Sequence, residues 1–180
     1  MLTFPAVFLD RDGTLIEDVH YCKDPALVRP LPGVIDSLRR LKDAGFRNVI
    51  ITNQSAIGRG WMTIEQYQAV QERTLELLGT GLIDATYFCA DAPEADSQHR
   101  KPAPGMVLDA IREHGIDPAT SWFVGDKKID VQCGKNAGSK SILVLCGRGT
   151  REDGAGADFI ANDLAEAVDF ILKHSDASPR

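Results

Sequence analysis

Short apolar runs alternate with amphipathic segments along nearly the whole chain, and no other feature restricts its possible folds so strongly. The runs at residues 6–10, 48–52, 85–90, 121–126, 141–145 and 158–161 are rich in Val, Ile and Phe and almost unbroken by polar residues. That is the pattern of strands buried on both faces. Between them, Val34, Ile35, Leu38, Leu41 and Ala44 mark one face of a helix that Gly45 can stop. Thr63 and Gln66 make a capping box for a helix running to about Gly79. Further helices are expected over 104–114 and 129–137, ended by Gly115 and Gly138, and a last one opens at Asp163 with Glu166 three residues on. Strand and helix in strict alternation indicate an α/β layer fold with a central, mostly parallel sheet.

A chain of 180 residues is long enough to bury a substantial core, and residues 1–174 are expected to form one domain followed by a polar tail, 175–180. In open parallel sheets, ligands bind beyond the carboxyl ends of the strands, and polar clusters fall at those places here. Asp10 and Asp12 follow the first strand, and their i, i+2 spacing can aim both carboxylates into one space. Gly13 then permits a sharp departure. Thr52, Asn53, Gln54 and Ser55 follow the second strand. Arg100 and Lys101 come about ten residues after the third, and Asp126 and Asp130 follow the fourth.

Taken singly, each cluster has an ordinary explanation. Thr52 and Asn53 suit a side-chain-bonded turn, Lys101 a solvated surface charge, and Asp130 the favourable first turn of a helix. Four clusters at one edge of a sheet suit something more specific. Converging carboxylates call for a cation between them, and hard oxygen ligands suit Mg²⁺. A phosphate monoester needs positive charge around its oxygens, an in-line nucleophile and a proton source for the departing alcohol. Lys101, Thr52 and the two N-terminal aspartates offer those functions.

The set Asp10-Arg11-Asp12-Gly13-Thr14, Thr52-Asn53-Gln54, Lys101-Pro102 and Gly125-Asp126 with Asp130 resembles the haloacid-dehalogenase (HAD) superfamily of phosphatases across about residues 6–173. The resemblance implies a three-layer Rossmann-like fold with Asp10 as nucleophile and Asp12 as general acid–base. It implies that Thr52 and Lys101 position the phosphoryl group. Asp10, Asp126 and the main-chain carbonyl of Asp12 would hold Mg²⁺, with Asp130 in support. Residues 52–60 and 99–102 further resemble the branch that acts on heptose 1,7-bisphosphate and histidinol phosphate, with Arg59-Gly60 and Asp126-Lys127 favouring the heptose side. Substrate contacts would then fall on Asp18, His20, Tyr21, Asn53, Gln54, Ser55 and Arg100. Relatives in that branch commonly carry a zinc loop; here only Cys89 keeps its type, Asp91 and His99 are the other candidates, and zinc is not expected.

From Thr14 to Pro32 there is no room for a large cap, so the site is expected to be open. A polynucleotide 3′-phosphatase shares part of the second motif. A net charge of −6 and the absence of a basic groove with stacking aromatics argue against a nucleic-acid partner. A silent binding module on the same fold is disfavoured by the presence of both Asp10 and Lys101. No apolar run nears the ~20 residues that span a bilayer, no secretion signal opens the chain, and Cys22, Cys89, Cys133 and Cys146 form no paired motif. The expectation is a cytoplasmic monomer acting on a small sugar phosphate, with no membrane partner. Trp122 is expected to serve packing, and Trp61, next to Gly60 at the mouth of the expected site, to be a partly exposed core residue, with substrate contact as the alternative.

Overall fold

The computed structural model describes residues 3–175, so most of the expected tail lies outside the described residues. Six strands appear where the apolar runs place them: β1 Ala6–Leu9, β2 Arg47–Asn53, β3 Ala85–Cys89, β4 Trp122–Gly125, β5 Lys140–Val144 and β6 Phe159–Ala161. They form one sheet in the order β3-β2-β1-β4-β5-β6, and every pairing is parallel, so the mostly parallel expectation sharpens to wholly parallel. Leu9 lies opposite Ile50 on one side and Val124 on the other.

The helices are α1 Val34–Asp43, α2 Ser55–Gly58, α3 Ile64–Leu78, α4 Gly105–His114, α5 Lys128–Asn136 and α6 Leu164–His174. Side-chain alternation along β1 feeds two cores. Val7 and Leu9 join Leu38, Leu41, Val70, Val168 and Ile171 on the face covered by α1, α3 and α6. Ala6 and Phe8 join Met106, Val107, Ala110 and Cys133 beneath α4 and α5. Helices on both faces of the sheet make the three layers. The capping box foreseen at Thr63 is present, with the Gln66 amide donating to the Thr63 hydroxyl at 3.2 Å and the Thr63 amide to the Gln66 side chain at 2.9 Å.

One expectation needs correction. β3 is not buried on both faces: it lies at the sheet edge, and Phe88 is 39 % exposed. Trp61, expected to be partly exposed, is 49 % exposed and packs against Tyr21 and Arg59 outside the hydrophobic cores, whereas Trp122 is 2 % exposed in the core, edge-on to Phe170. Between β1 and α1 the chain makes only the 3-10 turn Pro25–Leu27, so no separate cap rises there.

The chain leaves β1 for β2 on one side and later returns to place β4 on the other. β1 and β4 therefore flank the point where strand order reverses, and a crevice opens outside their carboxyl ends. Asp10 and Asp126 are the first residues beyond these two strands.

Candidate active site

The turn after β1 is built around Gly13, whose φ of +85° is a left-handed conformation, and a Cβ there would lie 2.6 Å from Asp126 Oδ2. Only glycine lets the turn close against that carboxylate. Asp10 emerges from the strand 5 % exposed. Its Oδ1 accepts from Lys101 Nζ at 2.8 Å, and the same ammonium donates to the Ile51 carbonyl at 2.8 Å and stands 2.7 Å from Asp130 Oδ1. Lys101 is thus clamped, 3 % exposed, among three oxygens.

One ligand oxygen from each of Asp10, Asp126 and Asp130 falls within a 4.8 Å cluster, the one such group of acidic, Cys or His side chains among the described residues. Burial pushes Asp126 up to about 7, reinforced by Asp10, and Asp130 up to about 6, opposed by Lys101. Burial would raise Asp10 too, but the Lys101 and Lys127 charges outweigh it and hold its carboxyl below the usual range. Lys101 itself is held up by Asp10 and Asp130 against burial. Asp126 Oδ1 is buried with no hydrogen-bond partner. A buried carboxylate oxygen without a hydrogen bond, beside two other carboxylates and with only the Lys127 ammonium 3.7 Å away, fits a hard divalent cation such as Mg²⁺.

Thr52, at the end of β2, is 1 % exposed, and its hydroxyl accepts from Gln54 Nε2 at 2.9 Å. The same Gln54 nitrogen donates to Asp12 Oδ2 at 2.9 Å. Asn53 engages the Lys101 backbone both ways, accepting from its amide at 3.1 Å and donating to its carbonyl at 3.2 Å. Both side chains, expected to face substrate, are turned toward neighbouring protein groups, and Asn53 ties the Lys101 segment to β2. Ser55 opens the one-turn helix α2.

These residues line a cavity of about 310 Å³ together with Asp12, Asp18, His20, Tyr21 and Arg100. Every residue expected to contact substrate borders it. Asp126 lies just beneath, fully buried, while Asp130 reaches the wall. His20 and Tyr21 hold φ of +52° and +58° at the mouth, a strain non-glycine residues adopt only where surroundings impose it. Tyr21 meets the exposed Trp61 edge-on at 5.2 Å. Arg100 donates to the Asp91 carbonyl at 3.0 Å.

The sequence motifs contain Arg11 and Lys127 without giving either a role in the site, and Arg148 lies outside them. Arg11 is 1 % exposed and does not line the cavity. It grips Asp12 through Nε at 3.1 Å and a terminal nitrogen at 3.0 Å, reaches Gln71 Oε1 at 3.3 Å, and lies 5.6 Å over the Tyr67 ring. Lys127 and Arg148 also line the cavity. The Gly147-Arg148-Gly149 run begins three residues after β5 ends, beside the same crevice.

Cys89, Asp91 and His99 are not brought together. Cys89 Sγ donates to Asp91 at 3.4 Å and lies 3.7 Å from Ser97 Oγ, while His99 Nε2 is turned to Asp109, 3.0 Å away. All four cysteines are free thiols.

A family model described as HAD-hydrolase-like matches residues 98–167. The D-glycero-D-manno-heptose-1,7-bisphosphate 7-phosphatase of Thermosynechococcus vestitus is 39 % identical, aligned over 94 % of this chain and 96 % of its own. The D-glycero-beta-D-manno-heptose-1,7-bisphosphate 7-phosphatase of Yersinia pestis is 41 % identical, over 90 % and 92 %. The crystal structure of D,D-heptose 1,7-bisphosphate phosphatase from B. bronchiseptica, complexed with magnesium and phosphate, superposes with a TM-score of 0.85 at 31 % identity. It covers 95 % of this chain and 99 % of the other.

Proposed function

This chain belongs to the HAD-like phosphatases, and from that membership we propose that it removes the 7-phosphate of D-glycero-D-manno-heptose 1,7-bisphosphate in a Mg²⁺-dependent reaction. The observation that carries the reading is the meeting of Asp10, Asp126, Asp130 and Lys101 at the strand-order switch, in a chain whose curated relatives carry that activity in their names.

In this reading Asp10 is the nucleophile. Lys101 keeps it ionised, and its carboxylate attacks phosphorus to give an aspartyl-phosphate as the ester oxygen departs. Asp12, 21 % exposed beside the cavity and held by Arg11 and Gln54, protonates that oxygen. It then takes a proton from the water that hydrolyses the acyl phosphate and regenerates Asp10. The Thr52 hydroxyl and the Lys101 ammonium hold the non-bridging oxygens. Asp10, Asp126 and the Asp12 main-chain carbonyl would hold Mg²⁺, steadied by Asp130. Bound there, the ion supplies the charge neutralisation that lets a carboxylate approach a phosphate dianion. Asp18, His20, Tyr21, Ser55 and Arg100 border the space left for the sugar.

The working unit is residues 1–174, acting as a monomer in the cytoplasm on a small sugar phosphate and not on nucleic acid. Four free thiols are in keeping with a reducing compartment, and no helix among the described residues is long and apolar enough to cross a membrane. The test is kcat/KM with Mg²⁺ on heptose 1,7-bisphosphate, histidinol phosphate and a 3′-phosphorylated oligonucleotide. The bisphosphate is expected to lead by orders of magnitude. Preference for either rival would overturn the substrate assignment while leaving the chemistry of Asp10 in place.

A further inference from the structure

Past the end of β5 the backbone folds back onto Asp126. A Cβ at Gly147 would collide with the Asp126 carboxyl, and one at Gly149 with the Asp126 carbonyl, so the loop packs there only because both residues lack one. Between them, the Arg148 amide donates to Asp126 Oδ2 at 2.9 Å. The main chain of Arg148 is therefore anchored to the same carboxylate that borders the reacting centre. Its side chain is the adjustable part: 52 % exposed, it reaches over the cavity wall and pairs with Asp18, Nε to Oδ2 at 2.9 Å. A terminal nitrogen also donates to the Asp18 carbonyl at 3.4 Å.

Lys127 approaches the same Asp18 carboxylate at 3.8 Å and Asp126 Oδ1 at 3.7 Å. One carboxylate thus faces two cations at the rim, beside a cavity that Arg100 also lines. Lys127 also bears on Asp10 and Asp126, but the Arg148 guanidinium, paired only at the rim, is not needed for the phosphate that reacts. Lys101 already serves that position, with its ammonium clamped by Asp10, Asp130 and Ile51. An acidic chain that gathers excess positive charge at the edge of its site is suited to a substrate with a second anion.

We propose that Arg148 is a specificity-determining residue that receives the phosphate the enzyme does not hydrolyse. The proposal rests on the bisphosphate reading above. Without substrate its guanidinium is paired with Asp18. With substrate the fork turns to the distal phosphate, whose two oxygens match its geometry, and the Asp18 carboxylate is released toward the sugar hydroxyls. No bond to phosphorus is made or broken there; the contribution is binding and discrimination.

Arg148→Ala and Arg148→Lys separate this from a purely structural latch, since the anchoring amide survives in both. Four quantities are measured with Mg²⁺: kcat and KM for heptose 1,7-bisphosphate, the same for heptose 7-phosphate, and inhibition constants for heptose 1-phosphate and for inorganic phosphate. In Arg148→Ala, KM for the bisphosphate is expected to rise about tenfold, the order of one lost charge-assisted contact, with kcat little changed. Inhibition by heptose 1-phosphate weakens by a similar factor. The monophosphate parameters and inhibition by inorganic phosphate stay at wild-type values, and Arg148→Lys recovers most of the loss. Equal losses on the bisphosphate and the 7-phosphate would show a latch and overturn the proposal. So would an undiminished preference for the bisphosphate in Arg148→Ala, which leaves the proposed function standing. A wild-type enzyme that hydrolyses neither heptose phosphate overturns both.

Discussion

Arg11 shows how much of this site is decided by a side chain that never enters the cavity. The alternation that sends Asp10 and Asp12 into the crevice sends the residue between them under α3, where a charge is tolerable only if it is paired. Asp12, Gln71 and the face of Tyr67 meet that need. The pairing also orients Asp12, because two nitrogens of one planar guanidinium face its carboxylate. Replacing Arg11 by Met strands Asp12 and Gln71. The loss expected is about 3 kcal/mol, seen as a fall in Tm of about 6–12 °C for a chain of this length. In the surviving folded fraction, kcat should fall more than KM rises. Asp10→Asn tests the proposed nucleophile more directly: a folded protein by circular dichroism, with phosphate release near background. Wild-type-like turnover in that variant would sink the assignment.

At the scale of elements, the strands were legible because burial on both faces writes itself as an apolar run, and each was found within about a residue of its observed limits. The edge strand β3 was misjudged because its composition resembles that of an inner strand; only pairing order reveals that a face is uncovered. The cap of α3 was legible because it depends on residues three apart. Thr63→Ala should cost about 1 kcal/mol, read as a lower urea midpoint with an unchanged slope, and leave kcat as it was. The clusters at the ends of β1, β2 and β4 could be assigned to one site from strand order alone. Arg148 could not be found from composition, since a Gly-Arg-Gly run looks like any exposed loop until its backbone is seen against Asp126. Nor could Arg11: a charged residue reads as solvated unless its partners, here 60 residues away in α3, are known.

For the molecule as a whole, three buried carboxylates opposed chiefly by one clamped lysine are a source of instability that a divalent cation relieves. Asp126 and Asp130, near 7 and 6 in the folded chain against 3.8 when unfolded, hold protons that the unfolded chain has released between about pH 4 and pH 7. Stability of the metal-free chain should therefore fall as pH rises through that window and level off above it. The observable is the urea midpoint in EDTA at pH 5, 6, 7 and 8. A flat profile would mean that the charges are compensated in some other way. Adding Mg²⁺ at pH 7.5 should raise Tm through binding to the folded state alone and restore turnover lost to EDTA. The two tryptophans make these measurements separable. Trp122 is sealed against Phe170 at 5.8 Å, while Trp61 stands half-exposed beside Tyr21 with the Arg59 guanidinium 4.9 Å over its ring. The chain thus carries two fluorophores in opposite surroundings. A quencher dissolved in the buffer reaches one and spares the other, and a red shift in Trp61→Phe reports only the opening of the core.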